Sequence, residues 1–437
     1  MLNAHDLHAT VHWLESGQAC SARWRSERGA APPKKVVLAD DTMTADAAYR
    51  LACEGTALLW RGDFQNARQL LQALARRIDK PRKAPKGPAA KTKVAGLDLG
   101  PATKSEAAHA SITGAAALKA SKEFHLHRQA QAQRARVLGM LLLSFDATYG
   151  LSLRRSPDVR LACSEGWGNA TQEEGASVAS LRELLGLISA YEWRKKGVEV
   201  PALGAPPNNR IYPHYGVFSP VRGEYVGLVA KAPLPVLVPA DDVPRAMMAF
   251  DIGVGTGVLS AVLARRGVAH VVGTDQDPRA LACALENLRR LGVGGSADAP
   301  VQLLQTDLFP PGRAALIVCN PPWLPARAGS PIERAVYDEG STMLLGFLSG
   351  LADHLEPGGE GWLILSDLAE HLGLRSRAFL LSSIEAAGLC VAGRLDTVPV
   401  HGKAQDATDP LHVARSQEIT SLWRLQPMPV SEQLAVQ

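Results

Sequence analysis

From Ala246 onward, short apolar runs alternate with stretches whose apolar positions recur at helical spacing. Met247–Ile252, His270–Thr274, Val301–Gln305 and Ala315–Cys319 predict strands, and Val258–Arg266 (VLSAVLARR) predicts a helix behind the first of them. Strand runs separated by helices are the mark of a parallel sheet covered on both faces. The earlier part of the chain reads differently. Residues 1–79 read as mostly helical, with Ala45–Asp79 a helix pair around a Gly-Asp turn. Residues 80–122 begin with a stretch rich in Pro, Lys, Ala and Gly, too poor in apolar side chains to offset the entropy of ordering, and predict a basic disordered linker. Residues 123–240 predict an accessory region of helices and short strands, in which Leu181–Lys195 is an amphipathic helix with basic residues at its C-terminal end. Ile211–Val229 mixes aromatic, β-branched, Pro and Gly residues and reads as short strands leading into a helix. The expected catalytic domain is 241–426 and the tail 427–437.

With 437 residues, nearly half of them apolar and about a fifth charged, the composition is that of a soluble multidomain protein. The formal charge of +4 conceals an asymmetry, because Arg76–Lys93 carries eight basic residues against one acid, leaving the remainder slightly acidic. Charge alone therefore does not indicate a nucleic-acid surface spread over the folded domains, and the basic linker is either a tether for RNA phosphates or a solvated spacer. The six cysteines are scattered without a C-x-x-C pair, and His125 and His127 would face different sides of a helix, so neither a disulfide framework nor a metal site is expected. The longest apolar run is far short of a membrane span and the N-terminus shows no signal-peptide core, so a cytoplasmic location is expected.

The first strand runs into Gly253-Val254-Gly255-Thr256-Gly257 and then the helix. Glycines at alternate positions let a backbone approach a ligand closely and take up positive φ. A dinucleotide fingerprint would place its third glycine where Val258 stands, which disfavours NAD. Asp275 ends the second strand, where an acid can accept from ribose hydroxyls. Asp307 follows the third strand, where it can accept from an adenine amino group, and Phe309 is placed to pack on the adenine ring. Asp251 beside the loop would favour a cationic group by Coulomb attraction. Taken singly, each acid is equally a cap or a surface residue.

The fourth strand empties into Asn320-Pro321-Pro322-Trp323. An amide or aryl amine has a delocalised lone pair, so a site that acts on such a nitrogen must hold its NH2 in place. Asn320 offers a side-chain carbonyl and Pro321 a backbone carbonyl for the two N–H bonds. The prolines stiffen the backbone by fixing φ, and Trp323 offers a flat face for stacking, worth about 1–3 kcal/mol per base where such stacking has been tested. Cys319, inside the strand, reads as core.

Taken in order, the D-x-G-x-G-x-G loop, the second-strand acid, the third-strand Asp and N-P-P-W resemble the class I S-adenosylmethionine-dependent methyltransferases of the nitrogen-directed branch. The nearest likeness is to the release-factor and ribosomal-protein glutamine methyltransferases. It covers Asp251–Ser366 and, more weakly, Phe218–Val229. The resemblance implies an α/β Rossmann-like domain of seven strands, with Leu344–His354 and Ser376–Ala387 as helices, Trp362–Ser366 as the fifth strand, and Leu389–Leu395 and Ser421–Leu425 as the last strands. It also implies S-adenosyl-L-methionine as cofactor, direct in-line methyl transfer, and a macromolecular acceptor, either a protein glutamine amide or an RNA base amine. The opposing reading is a non-catalytic RNA- or protein-binding adaptor that kept the fold.

Overall fold

A computed structural model of the chain describes residues 9–80, 114–221, 223–236, 246–400 and 406–429. Two large sheets organise them, one on each side of residue 200.

The first sheet contains β1 (Thr10–Glu15), β2 (Gln18–Trp24), β3 (Lys35–Ala39), β4 (Thr56–Trp60), β5 (Leu141–Phe145) and β6 (Ser177–Ser180), in the spatial order β1-β2-β6-β5-β4-β3. Helices α1 (Ala45–Cys53), α2 (Phe64–Ile78), α3 (Gly114–Leu138), α4 (Arg160–Trp167) and α5 (Leu181–Lys196) connect and cover it. The expectation of a mostly helical N-terminal region is overturned, because its described residues divide about equally between strand and helix. The expected helix pair is α1-β4-α2. Thr56–Trp60 (TALLW) is buried at all five positions between β3 and β5, and so apolar a run carries no alternation that separates strand from helix.

β5 and β6, from the supposedly separate accessory region, pair with β4 and β2, so both flanks of the expected linker build one sheet. Residues 114–122, placed in that linker, open α3, whereas 81–113 lie outside the described residues, as do 430–437 of the expected tail. α3 then spans to the far half of the molecule, where Phe124, 1% exposed, packs with Leu324, Leu368, Leu372 and Leu411.

A short hairpin, β7 (Val198–Glu199) and β8 (Arg210–Ile211), and helix α6 (Glu224–Lys231) introduce the second half. Val200, Ile211, Val226 and Val229 share one core with Val258, Val262 and Trp362, so this half begins well before residue 241, the expected boundary.

The second sheet is built from β9 (Met248–Ile252), β10 (His270–Asp275), β11 (Val301–Gln305), β12 (Ala314–Cys319), β13 (Leu355–Ser366), β14 (Leu389–Thr397) and β15 (Thr420–Pro427), in the order β11-β10-β9-β12-β13-β15-β14. The first five are parallel and β15 runs antiparallel to both its neighbours. All six residues of β12 are buried, as expected of a strand covered on both faces. Helices α7 (Val258–Arg265) and α8 (Pro278–Arg290) serve one face and α9 (Thr342–His354) and α11 (Arg377–Ala386) the other, while α10 (Leu368–His371) packs with Phe124 of α3, and a single turn, α12 (His412–Ser416), precedes β15.

The chain winds outward from β9 through β10 to β11 and then returns to lay β12 on the other side of β9. Such a reversal opens a crevice at the carboxyl ends of the two central strands, where open α/β sheets bind ligands. Ile252 pairs in register with Cys319, so the glycine loop and Asn320 leave adjacent strand ends.

Candidate active site

The crevice is a cavity of about 870 Å³ whose walls include the glycine loop, Asp275, Asp307 and the Asn320–Trp323 tetrapeptide. Sequence motifs separated by some 70 residues thus meet in one place.

The loop owes its shape to its glycines. Gly253, Gly255 and Gly257 have φ of +76°, +52° and +79°, a region that costs side chains dearly. The N–H groups of Gly253 and Val254 both donate to the carbonyl of Thr274 (2.9 and 2.7 Å), tying the loop to β10. A Cβ on Gly253 would come within 2.7 Å of Met343 Cε, and one on Gly257 within 3.3 Å of the Ala284 backbone, whereas above Gly255 the nearest atom is a carbonyl oxygen at 3.9 Å. The middle of the loop is therefore an open cradle.

Two carboxylates hold that cradle. Asp275 Oδ2 accepts from the Gly255 N–H at 3.1 Å and Oδ1 from the Asp277 N–H at 3.0 Å, and burial raises its pKa. Asp251, 1% exposed, accepts from the N–H and the hydroxyl of Ser260 (2.9 and 2.6 Å), which locks the first turns of α7 to β9. Burial, helped by the nearby Asp275 charge, pushes the Asp251 carboxyl up to about 6. Asp307, exposed on the rim, accepts from the Gln276 side-chain amide at 2.5 Å.

Phe309 is a correction. It does not line the cavity but stacks on His354, with centroids 4.3 Å apart, and on Phe347 at 5.9 Å. The cause is local, because Leu308 takes a φ of +58°, so Leu308 turns to the cavity and Phe309 to α9.

At the end of β12, the indole N–H of Trp323 donates to Asn320 Oδ1 at 2.9 Å, and the guanidinium of buried Arg375 donates to the Trp323 carbonyl at 3.3 Å. The chain beyond is braced by the Leu324 N–H donating to the Val336 carbonyl (3.1 Å) and the Asp338 N–H to the Leu324 carbonyl (2.9 Å). Asp338 in turn accepts from the backbone N–H groups of Met343 and Leu344 and so caps α9. This residue escaped the sequence reading, as did Tyr225, Arg334 and Arg415, which also face the cavity. The D-E-G-S stretch before α9 was the available signal for Asp338. Cys319 is wholly buried and burial raises its thiol pKa well above the ordinary range, consistent with core. Among the described residues no group of three His, Cys, Asp or Glu side chains is arranged to hold a metal ion, and no helix is long and apolar enough to cross a membrane.

Residues 211–376 match the family model of the Methyltransferase small domain. Over 193 residues the chain is 31% identical to release factor glutamine methyltransferase of Geobacter sulfurreducens, covering 38% of this chain and 63% of that protein. It is 31% identical over 154 residues to the protein of the same name from Cereibacter sphaeroides (32% and 51%). A third relative, ribosomal protein L11 methyltransferase of Pelotomaculum thermopropionicum, is 33% identical over 147 residues (33% and 39%). The chain spans less than two thirds of each of these relatives.

Proposed function

We propose that the protein is a class I S-adenosylmethionine-dependent N-methyltransferase acting on a planar nitrogen of a macromolecule, a reading supported by the match of residues 211–376 to the Methyltransferase small domain and by the likeness to release-factor and ribosomal-protein methyltransferases. The acceptor is a protein glutamine amide or an RNA base amine. The observation that carries this reading is the adjacency, at the ends of β9 and β12, of an open glycine cradle and a carbonyl-bearing, proline-stiffened tetrapeptide in one cavity.

The residues fit the cofactor. The space above Gly255 admits close approach of a ligand, and Asp275, already fixed by two backbone N–H groups, keeps lone pairs for a ribose diol. Asp307 stands on the rim for an exocyclic amine. When bound, S-adenosylmethionine supplies a sulfonium-activated methyl group for direct in-line transfer. The protein's part is to orient the acceptor and exclude water. Asn320 Oδ1 holds one acceptor N–H with the lone pair that Trp323 leaves free, the Pro321 carbonyl takes the other, and the Trp323 ring stacks on the acceptor plane. No strong base is required, because the nitrogen sheds its proton readily once its lone pair is used.

Asn320→Ala tests this. Calorimetry should show S-adenosylhomocysteine affinity nearly unchanged, while transfer of labelled methyl to an extract falls at least about tenfold, the loss of roughly 1.4 kcal/mol of transition-state stabilisation. Unchanged turnover removes Asn320 from the site.

A further inference from the structure

The rim of the acceptor side is built by both halves of the molecule, and it is crowded with guanidinium groups. Glu333, on the segment that follows the tetrapeptide, accepts from Arg128 of α3 at 3.4 Å and faces Arg28, from the loop after β2, at 3.6 Å. Arg128 also donates to the Arg327 carbonyl and lies over the ring of Tyr337 at 3.9 Å, and Tyr337 lines the cavity. Arg182, at the start of α5, is half-buried within electrostatic reach of Arg28 and Arg134, with Glu183 and Glu333 as the opposing charges. Arg134 is matched by its two-pronged pair with Asp79, and Glu27 faces Arg279. Arg334, next in sequence to Glu333, is exposed and borders the cavity itself.

Arg28 and Arg128 thus share the one carboxylate of Glu333, and Arg334 follows it on the cavity rim. Three guanidinium groups around that one carboxylate leave an excess of two positive charges. Burial, together with the Arg28 and Arg134 charges, lowers the pKa of Arg182, a sign of positive charge crowded in a poorly hydrated place. Such crowding costs free energy unless an anion meets it. Arginine is also the side chain best suited to phosphate, through its planar fork of donors.

Resting on the methyltransferase reading above, we propose that this rim is a phosphate-binding subsite for RNA, which sets backbone phosphates against Arg28, Arg128, Arg182 and Arg334 while an unstacked base enters the cavity beside Trp323. Of the two acceptors, RNA is the one that presents a planar amine and regularly spaced anions together, and single-stranded bases are read by stacking on aromatic faces. A protein glutamine brings the amide without the anions. The N-terminal half then has a definite task, since it contributes Arg28, Arg128 and Arg182 to a site whose chemistry belongs to the C-terminal half.

The full-length protein, loaded with S-adenosylhomocysteine, is titrated with a fluorescent single-stranded RNA of mixed sequence across a salt series. Wild type should bind with a steep log–log salt dependence, and Arg28→Gln and Arg334→Gln should each weaken binding and reduce that slope by about 1. Arg28→Lys, which keeps the charge, should retain most of the affinity, and labelled methyl from an extract should be sensitive to RNase. RNA affinity indifferent to both neutralising variants, or methyl label sensitive only to protease, overturns the RNA assignment. Loss of S-adenosylhomocysteine binding by wild type would instead overturn the methyltransferase reading.

Discussion

The indole N–H of Trp323 donates to the side-chain carbonyl of Asn320 at 2.9 Å, so the two side chains of the tetrapeptide are already coupled within the chain. Trp323 therefore has two separable properties, a flat face and a donor that orients the carbonyl. Trp323→Phe removes only the second. A neutral hydrogen bond of this kind is worth about 0.5–1.5 kcal/mol, so turnover should fall between about twofold and about tenfold with S-adenosylhomocysteine affinity unchanged. Trp323→Leu, which removes the face as well, should fall further. Equal activities for the two variants would show that the hydrogen bond alone matters.

Asp307 and Phe309 stand two residues apart on opposite sides of the Leu308 turn, and their variants should separate binding from stability. Asp307→Ala, on the rim, should weaken cofactor binding in calorimetry while leaving the melting temperature unchanged. Phe309→Ala removes a ring stacked on His354 and Phe347, so it should lower the melting temperature by several degrees, a cost on the order of 2 kcal/mol for a half-buried aromatic. Cofactor affinity measured well below that temperature should not change. A loss of affinity from Phe309→Ala would return the ring to the adenine site.

That turn marks where sequence reading stops. The central parallel strands of the C-terminal half were legible because both faces are buried, and β9 and β12 were each read to within one residue of an end; Val301–Gln305, a largely exposed edge strand, was nonetheless read residue for residue. Gly253, Gly255 and Gly257 were legible because glycine takes those φ values without steric cost. A non-glycine residue at φ +58° leaves no mark, so Leu308 hid the direction of Phe309. In the N-terminal sheet, β1 and β2 are short, largely half-exposed strands, with Val11 and Ala22 as their buried residues, and they carry too little apolar alternation to declare themselves. Ile211–Val229, by contrast, reads as short strands leading into a helix, and there the end of the two-residue β8 and most of α6 stand.

Asp251 gives a pH dependence with a definite sign. Its carboxyl rises from 3.8 unfolded to about 6 folded, mainly by burial, so the folded chain holds that proton more tightly. The stabilisation is complete below about pH 4 and is lost as pH rises through about 6, a change on the order of 3 kcal/mol before other groups are counted. Asp251→Asn keeps a carbonyl for Ser260 but cannot titrate. Thermal melts of the two proteins should therefore show the wild type gaining on the variant as pH falls from about 7 to about 5. Parallel melting curves across that interval would mean that Asp251 is not held in the protonated form.

The last expectation concerns how the N-terminal half reaches the site. Phe124 of α3 is buried against Leu324, Leu368, Leu372 and Leu411, and Leu324 directly follows the tetrapeptide. Leu324 is also the residue whose backbone holds Val336 and Asp338, and Asp338 caps α9 beside the glycine loop. A helix from one half thus clamps the segment that shapes the other half's acceptor rim. Truncating a buried Phe to Ala costs about 3–5 kcal/mol, and here the loss falls on the seam between the halves rather than within either core. Phe124→Ala should raise KM for the macromolecular acceptor more than it lowers kcat, with S-adenosylhomocysteine affinity unaffected, because the cofactor loop is tied to β10 by Thr274 and not to α3. Phe124→Leu, which refills most of the volume, should recover most of the acceptor affinity. Equal losses in acceptor and cofactor binding would show that α3 serves global stability alone.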